Sequence, residues 1–290
     1  MKTNASRPYE VLLATVVIAR SSSYLFSKIC LTDMGPYTLL ALRFLLAFLL
    51  LVLFFGKKLR GISAATAVRG VMLGVLFFAT MAAELFGLKS TDSATVSFLE
   101  NTAIVFVPLF EAVLRRKMPT FRVLLCAVLA LGGIALLTLK EGSFSLSLGE
   151  CYCLLAAVLY AAAIIATDRF SHHHEPTALG IIQVGVIGFL GLIFGLFTEP
   201  PRLPQTGMEW ISLVYLAVIC TGFGFTLQPV AQSRTSSEKA GIFCALNPLT
   251  ALILGVVFLH EIFDLTDIFG AVLILGGIVI YSVKKKPARL

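Results

Sequence analysis

Apolar residues run along this chain in continuous blocks of about twenty, separated by short polar breaks. Ten blocks are legible, at roughly 9–29, 36–55, 70–88, 93–114, 121–139, 149–167, 177–197, 209–228, 240–259 and 266–283. The breaks hold the residues that end helices: Gly35-Pro36, Gly56-Lys57-Lys58, Arg115-Arg116-Lys117-Met118-Pro119, Glu199-Pro200-Pro201 and Lys284-Lys285-Lys286-Pro287. About 20 apolar residues at 1.5 Å each span the hydrocarbon core of a bilayer. Within each block the apolar residues are contiguous, not alternating, which predicts helices and not barrel strands. The pattern therefore predicts an all-α membrane protein of ten spans with short loops.

Charge placement adds a direction. With the N-terminus inside and spans alternating, 17 of the 23 Lys and Arg fall in inside segments, four (Lys28, Lys89, Lys140, Arg202) in outside segments, and Arg20 and Arg43 within spans. Cytoplasmic loops concentrate Lys and Arg, so both termini are expected in the cytoplasm. An internal repeat accompanies this. Ala127-Val-Leu-Ala-Leu-Gly-Gly-Ile134 recurs as Ala271-Val-Leu-Ile-Leu-Gly-Gly-Ile278, an offset of 144, in the fifth and tenth spans. Two halves of five helices, an odd number, enter the membrane in opposite senses, the inverted repeat many secondary transporters use around a midplane site. The division is expected at residues 1–143 and 144–290.

Composition removes the alternatives. The 290 residues are 58% hydrophobic and only 13% charged, with a net charge of +7 and a mean hydropathy of +0.94. A soluble fold could not cover so much apolar surface, so a soluble enzyme and a nucleic-acid binder are excluded as starting points. The six cysteines lie mostly in apolar blocks, and Cys151-Tyr-Cys153 has the wrong gap for a redox or zinc pair, so they are expected to pack as small apolar residues. The first block carries Arg20, Ser21, Ser22 and Ser23 in its middle, unlike the apolar centre of a signal peptide, and is expected to be a mature helix.

Three stretches resemble a known family. Arg20-Ser-Ser-Ser-Tyr-Leu-Phe-Ser-Lys28 is similar to the W-G-S-S-F-x-x-x-K signature of EamA-type members of the drug/metabolite transporter superfamily. Pro36 followed by Leu39-Leu-Ala-Leu-Arg43-Phe-Leu45 resembles the "P…RF" pattern of the family's second helix, and Asn247-Pro248 followed by His260-Glu261 resembles its ninth-helix ending. The resemblance implies a ten-helix inverted-repeat carrier of the prokaryotic inner membrane that moves small metabolites, often outward, without ATP. It also implies a central cavity drawn from both halves, with the fifth and tenth helices peripheral. Two departures stand out: Arg20 replaces the usual Trp, and in the first half Ile104 aligns with Pro248 while the proline comes a turn later, at Pro108.

A charge at the bilayer centre costs about 2.5–3.5 kcal/mol on insertion scales and so calls for a partner or a hydrated cavity. Arg20, Arg43, Glu84, Glu100 and Glu111 stand well inside blocks. Arg20, Ser23, Tyr24 and Ser27 share one helical face. Arg20 is read either as a counter-charge in the cavity or as a structural ion pair with Glu84 or Glu100. Helix four carries Ser97, Glu100, Asn101, Pro108 and Glu111; Pro108 frees a carbonyl one turn back, and Glu100 is the candidate for proton coupling, against a static pair with Arg20 or Arg43. Glu84 is a second cavity candidate. Arg43 is expected in a structural pair or an intracellular gate, and Glu111 as a cytoplasmic-end partner of Arg115. The second half offers Tyr160, Gln183, Thr221, Gln228, Asn247 and Pro248, polar without being ionic, with Thr221, Phe225 and Gln228 on one face. His172-His173-His174 is read as an incidental loop tract, and no metal or cofactor is expected.

The leading function is a secondary transporter, by alternating access, of small metabolites, amino-acid-like or otherwise small and polar, acting as an exporter. Its partners are the substrate, membrane lipid and a coupling proton. A membrane-embedded enzyme or a channel-like subunit is the alternative. The chain lacks a nucleotide-cradling G-x-x-x-x-G-K-[ST] loop, H-E-x-x-H, G-x-S-x-G and any filter-like sequence, so no enzymatic activity is expected.

Overall fold

The computed structural model describes residues 7–114, 116, 121–137, 139–140, 143–144, 147–232, 246–262 and 264–282. Cys244, Arg234, Lys239, Arg115, Lys284 to Lys286 and the start of the ninth block lie outside the described residues. The first half consists of α1 (Arg7–Ser21), α2 (Ser23–Leu31), α3 (Pro36–Phe55), α4 (Ala64–Ser90), α5 (Ser93–Asn101), α6 (Ala103–Leu114) and α7 (Phe121–Leu137). The second consists of α8 (Leu148–Ser171), α9 (Pro176–Thr198), α10 (Gly207–Tyr215), a π-helical stretch Leu216–Phe223, α11 (Gly224–Gln232), α12 (Leu246–Leu259) and α13 (Leu265–Ser282). A two-residue antiparallel pair, Leu139–Lys140 with Ser143–Phe144, is the sole strand pairing among the described residues.

The helix starts follow local chemistry. Pro36 and Pro176 stand in the first turns of α3 and α9, where a missing N–H costs nothing. Ser147 with Glu150, and Thr206 with Glu209, form reciprocal caps on α8 and α10. Seven helical stretches are long and apolar enough to cross a membrane: Val11–Leu31, Pro36–Leu59, Ala64–Ser90, Ser93–Leu114, Leu148–Ser171, Pro176–Thr198 and Gly207–Gln228. Leu124–Leu136, Thr250–Leu259 and Leu265–Gly277 are shorter apolar helices. Blocks one, four and eight are each interrupted: α1 gives way to α2 at Ser22, α5 to α6 at Thr102, and α10 to α11 through the π-helical stretch.

The two halves pack into each other. α3 lies along α9, α4 along α8 and α9, α7 along α13, and α1 against α11 and α12. Small residues permit the closest approaches. Gly188 of α9 meets the backbone of Leu45, Gly191 that of Ala41 and Leu40, and Gly195 faces Tyr37 and Thr38. Numbers rise along α9 as they fall along α3, so these helices run antiparallel. The α7–α13 crossing is reciprocal: Gly133 faces Gly270 and Ile274, while Gly277 faces Cys126. Apolar side chains such as Phe54, Phe197 and Phe269 stay exposed on the outer surface, where a bilayer would solvate them.

Candidate functional site

The helix interruptions surround a narrow cavity of about 10 Å³, space for about one water. Arg20, Ser23, Tyr24, Arg43, Glu84 and Glu100 line it, together with Met81, Asn101, Tyr160, Phe225 and Asn247. Four ionisable side chains from four helices thus converge on one point. Lys28, one turn beyond Tyr24, donates to the backbone carbonyls of Leu88 and Thr91, which places the ends of α2 and α4 side by side. Tyr24, Arg43, Glu84 and Glu100 each lie six or seven residues from the ends at Leu31, Pro36, Ser90 and Ser93. At 1.5 Å per residue that is about 10 Å below one end of the bundle.

The acidic and basic groups are segregated. Arg20 donates through Nη1 to Tyr160 Oη at 3.1 Å and to Gln228 Oε1. Its guanidinium lies 4.4 Å from the centroid of Phe225 and 5.5 Å from that of Tyr160. Arg43 donates through Nε to Thr221 Oγ1 at 2.6 Å and sits over Phe44. Among the described residues no carboxylate oxygen comes within 4.0 Å of either guanidinium. Glu84 and Glu100 line the cavity together, and Tyr24 Oη donates to Glu100 Oε2 at 2.7 Å. Arg43, Glu84 and Glu100 are buried, and Arg20, which lines the cavity beside them, is half-buried.

Static ion pairs between these arginines and glutamates, one of the two sequence readings, are therefore absent from the described residues. The reason is spatial: neutral acceptors and aromatic faces from the second half reach the guanidiniums first. Arg43 lines the same cavity as Arg20. Thr221 and Gln228 lie one step behind the cavity, holding the two arginines. Asn247 accepts from Ser21 Oγ, and Asn101 is turned back on its own helix, donating to the carbonyl of Ser97 at 2.7 Å. Pro108 sits half-buried inside α6, and Pro248 is buried in α12; neither lines the cavity. Gln183 donates to the carbonyl of Phe225 at 3.1 Å, outside the cavity. Within the histidine tract, His174 Nδ1 meets Thr66 Oγ1 at 3.0 Å, and no metal-binding cluster occurs among the described residues.

Two cavity residues carry little sequence signal. Met81 reads as core. Phe225 is one of 23 phenylalanines, distinguished only by sharing a face with Thr221 and Gln228. Its ring meets Phe44 at 5.3 Å and Phe77 at 5.6 Å, both edge-on, so it is held as a platform under Arg20.

Comparison with known proteins agrees with this architecture. The chain is 27% identical over 277 residues to an uncharacterized transporter of Archaeoglobus fulgidus, covering 94% of this chain and 85% of that protein. It is 25% identical over 292 residues to the uncharacterized transporter YetK of Bacillus subtilis, covering 95% and 87%. A crystal structure superposes with a TM-score of 0.71 at 20% identity, over 94% of this chain and 96% of that one, a likeness of fold. The EamA-like transporter family model matches twice, at residues 7–139 and 147–283. The protein is an integral membrane transporter and not an enzyme, and the chain belongs to the EamA-like transporter family.

Proposed function

We propose that the protein is a secondary carrier that exports small polar metabolites, amino-acid-like or related, by alternating access through the cavity around Arg20, Arg43, Glu84 and Glu100. The carrying observation is the convergence of four ionisable side chains at one narrow, enclosed point beside three interrupted helices. Ionic groups at that depth are costly unless they serve a pathway, and discontinuous helices are how carriers build such sites. Ten spans, with halves 1–143 and 144–290 inserted in opposite senses, fit the antiparallel packing of α3 on α9 and of α7 on α13. The three shorter apolar helices supply the fifth, ninth and tenth crossings. Both termini are placed in the cytoplasm of a prokaryote, with the protein in the inner membrane, by the Lys and Arg count.

In this reading Ser23, Tyr24, Asn101, Tyr160 and Asn247 contact substrate, while Thr221 and Gln228 orient the arginines. Pro108 and Pro248 soften helices four and nine for the conformational change. Glu84 and Glu100 carry the coupling proton. Two buried carboxyl groups lining one cavity can hold a proton between them, and that proton can be exchanged when the cavity opens. The test is flux of a metabolite panel into liposomes holding the purified protein, with and without an imposed pH gradient. Saturable flux, accelerated by the gradient and made insensitive to it by Glu84→Gln or Glu100→Gln, is expected. Flux no faster than in empty liposomes across the panel overturns the carrier reading. Gradient-driven flux that survives both substitutions overturns the coupling.

A further inference from the structure

The cavity's charges do not pair. Among the described residues Arg20 is bonded only to neutral groups, the Tyr160 hydroxyl and the Gln228 amide, with the Phe225 ring beneath it. Arg43 is bonded to the Thr221 hydroxyl. Each guanidinium is charged under any ordinary condition. Glu84 and Glu100 line the same cavity, and Glu100 accepts from Tyr24. Two guanidiniums therefore face the cavity with no carboxylate partner among the described residues.

Among the described residues, the surroundings supply no such partner. Lys28 is the next charge along α2, it is positive, and its amine is spent on two carbonyls. Glu150 of α8 and Glu209 of α10 cap the starts of their own helices. Glu111 of α6 lies eleven residues beyond Glu100, about 16 Å along the helix. An unpaired charge in low dielectric is expensive, and the cheapest relief is an anion that enters and leaves. The segregation points the same way. Oppositely charged groups sharing so small a space would pair if the site were structural, whereas here each arginine is held ready by neutral partners.

We infer that the cavity takes a substrate of one net negative charge: a small organic acid whose carboxylate, or an equivalent oxyanion, sits between Arg20 and Arg43. This deepens the carrier reading and rests on the cavity being the substrate site. A guanidinium presents a planar fork of donors that matches a carboxylate in two bonds. Two such forks lining one cavity define an anion seat, and the Phe225 ring and the Met81 side chain in the same lining offer an apolar wall to the acid's carbon skeleton. A zwitterion would bring a cation beside the guanidiniums, and an amine would bring a cation alone.

The test varies charge on a fixed skeleton. The purified full-length protein is unfolded by heat in the presence of 3-phenylpropanoate, 3-phenylpropanamide, 3-phenylpropylamine or phenylalanine, and of hexanoate, hexanamide, hexylamine or norleucine, at constant pH, chloride and ionic strength. The buried thiols Cys30, Cys153 and Cys220 report unfolding through a thiol-reactive dye. Ligand that binds only the folded state raises the midpoint. The acids are expected to raise it by a few degrees and the other members to leave it within error. Arg20→Gln and Arg43→Gln are each expected to abolish the acid effect, and Arg20→Lys to retain part of it. The inference is overturned if no acid shifts the midpoint, if the zwitterions or amines shift it as far, or if the acid shift survives both Gln variants. The liposome flux separates the two readings: zwitterion transport without an acid effect removes the anion seat and leaves the carrier, while Arg-dependent acid stabilisation without any flux leaves the seat and removes the carrier.

Discussion

Arg20 sits where a tryptophan is usual in similar sequences, and its surroundings explain how a guanidinium is tolerated there. Its stem lies against Gly224 at the start of α11, where a Cβ would come within 2.8 Å of Arg20 Cγ. That contact is tighter than packed side chains allow, so the bare glycine is what lets the guanidinium reach Gln228 and the face of Phe225. Gly224→Ala should displace the side chain and break at least one of these bonds. Flux in proteoliposomes is expected to fall several-fold, while the unfolding midpoint moves by only a few degrees, since one methyl group is being accommodated by a flexible stem. An unchanged flux would show that the position of Arg20 is not critical. The sequence exposed the ionic residues of this site because each stands alone in an apolar run, where its cost demands a reason. It did not expose their partners. The face of a helix follows from its period, but which faces meet depends on helix packing, so Arg20–Gln228 and Arg43–Thr221 were not readable from spacing.

At the level of helices, the ends prove as informative as the spans. Glu199, just after α9, accepts from the backbone N–H of Tyr37 at 3.0 Å and of Thr38 at 2.8 Å, and from the Thr38 hydroxyl at 2.7 Å. Glu261, just after α12, accepts from the Ser93 N–H and hydroxyl, both at 2.7 Å. Each carboxylate from the second half thus caps the start of a first-half helix, α3 or α5, and satisfies donors that have no partner within the helix. In the sequence Glu199 is punctuation before two prolines and Glu261 is the tail of a motif. The capping role depends on a contact across 162 or 168 residues. Glu261→Ala should destabilise the protein by about 1 kcal/mol, the usual cost of losing a cap, and Glu261→Gln by less because the amide oxygen can still accept. Thermal unfolding of the two variants checks the order; equal midpoints for wild type and Glu261→Ala would remove the cap from any account of stability. The interruptions at Ser22, Thr102 and the π-helical stretch were legible only in part. Polar residues and Pro108 marked the right helices, but Pro108 lies a turn and a half beyond the break at Thr102, and nothing in Leu216–Phe223 announces a widened turn.

On the scale of the whole molecule, the repeat offers a test that needs neither substrate nor site. Gly133 faces Gly270, and adding 144 to the first while subtracting it from the second gives Gly277 facing Cys126, the other close contact of the same crossing. One contact is the image of the other under exchange of the halves, as a twofold relation requires. The sequence supplied the offset through its repeated Leu-Gly-Gly-Ile, and the seam between α7 and α13 shows what the second glycine of each copy does. The first glycine does something else: a Cβ on Gly132 would meet nothing closer than 3.7 Å, and one on Gly276 nothing within 4 Å. A larger residue is therefore expected to matter at the second position of each motif and not at the first. Gly133→Val drives a side chain into Gly270 O at 2.6 Å and Ile274 Cγ1 at 2.5 Å and should be the most damaging. Gly277→Val meets Cys126 O at 3.2 Å and should cost less, within the 1–3 kcal/mol typical of overpacking. Gly132→Val and Gly276→Val should fall within about 1 kcal/mol of wild type, the scale of helix propensity alone. Unfolding midpoints of the four purified variants decide it. If the first-position variants prove as damaging as the second, the shared motif is not the seam between the halves, and the twofold relation loses its contact-level support.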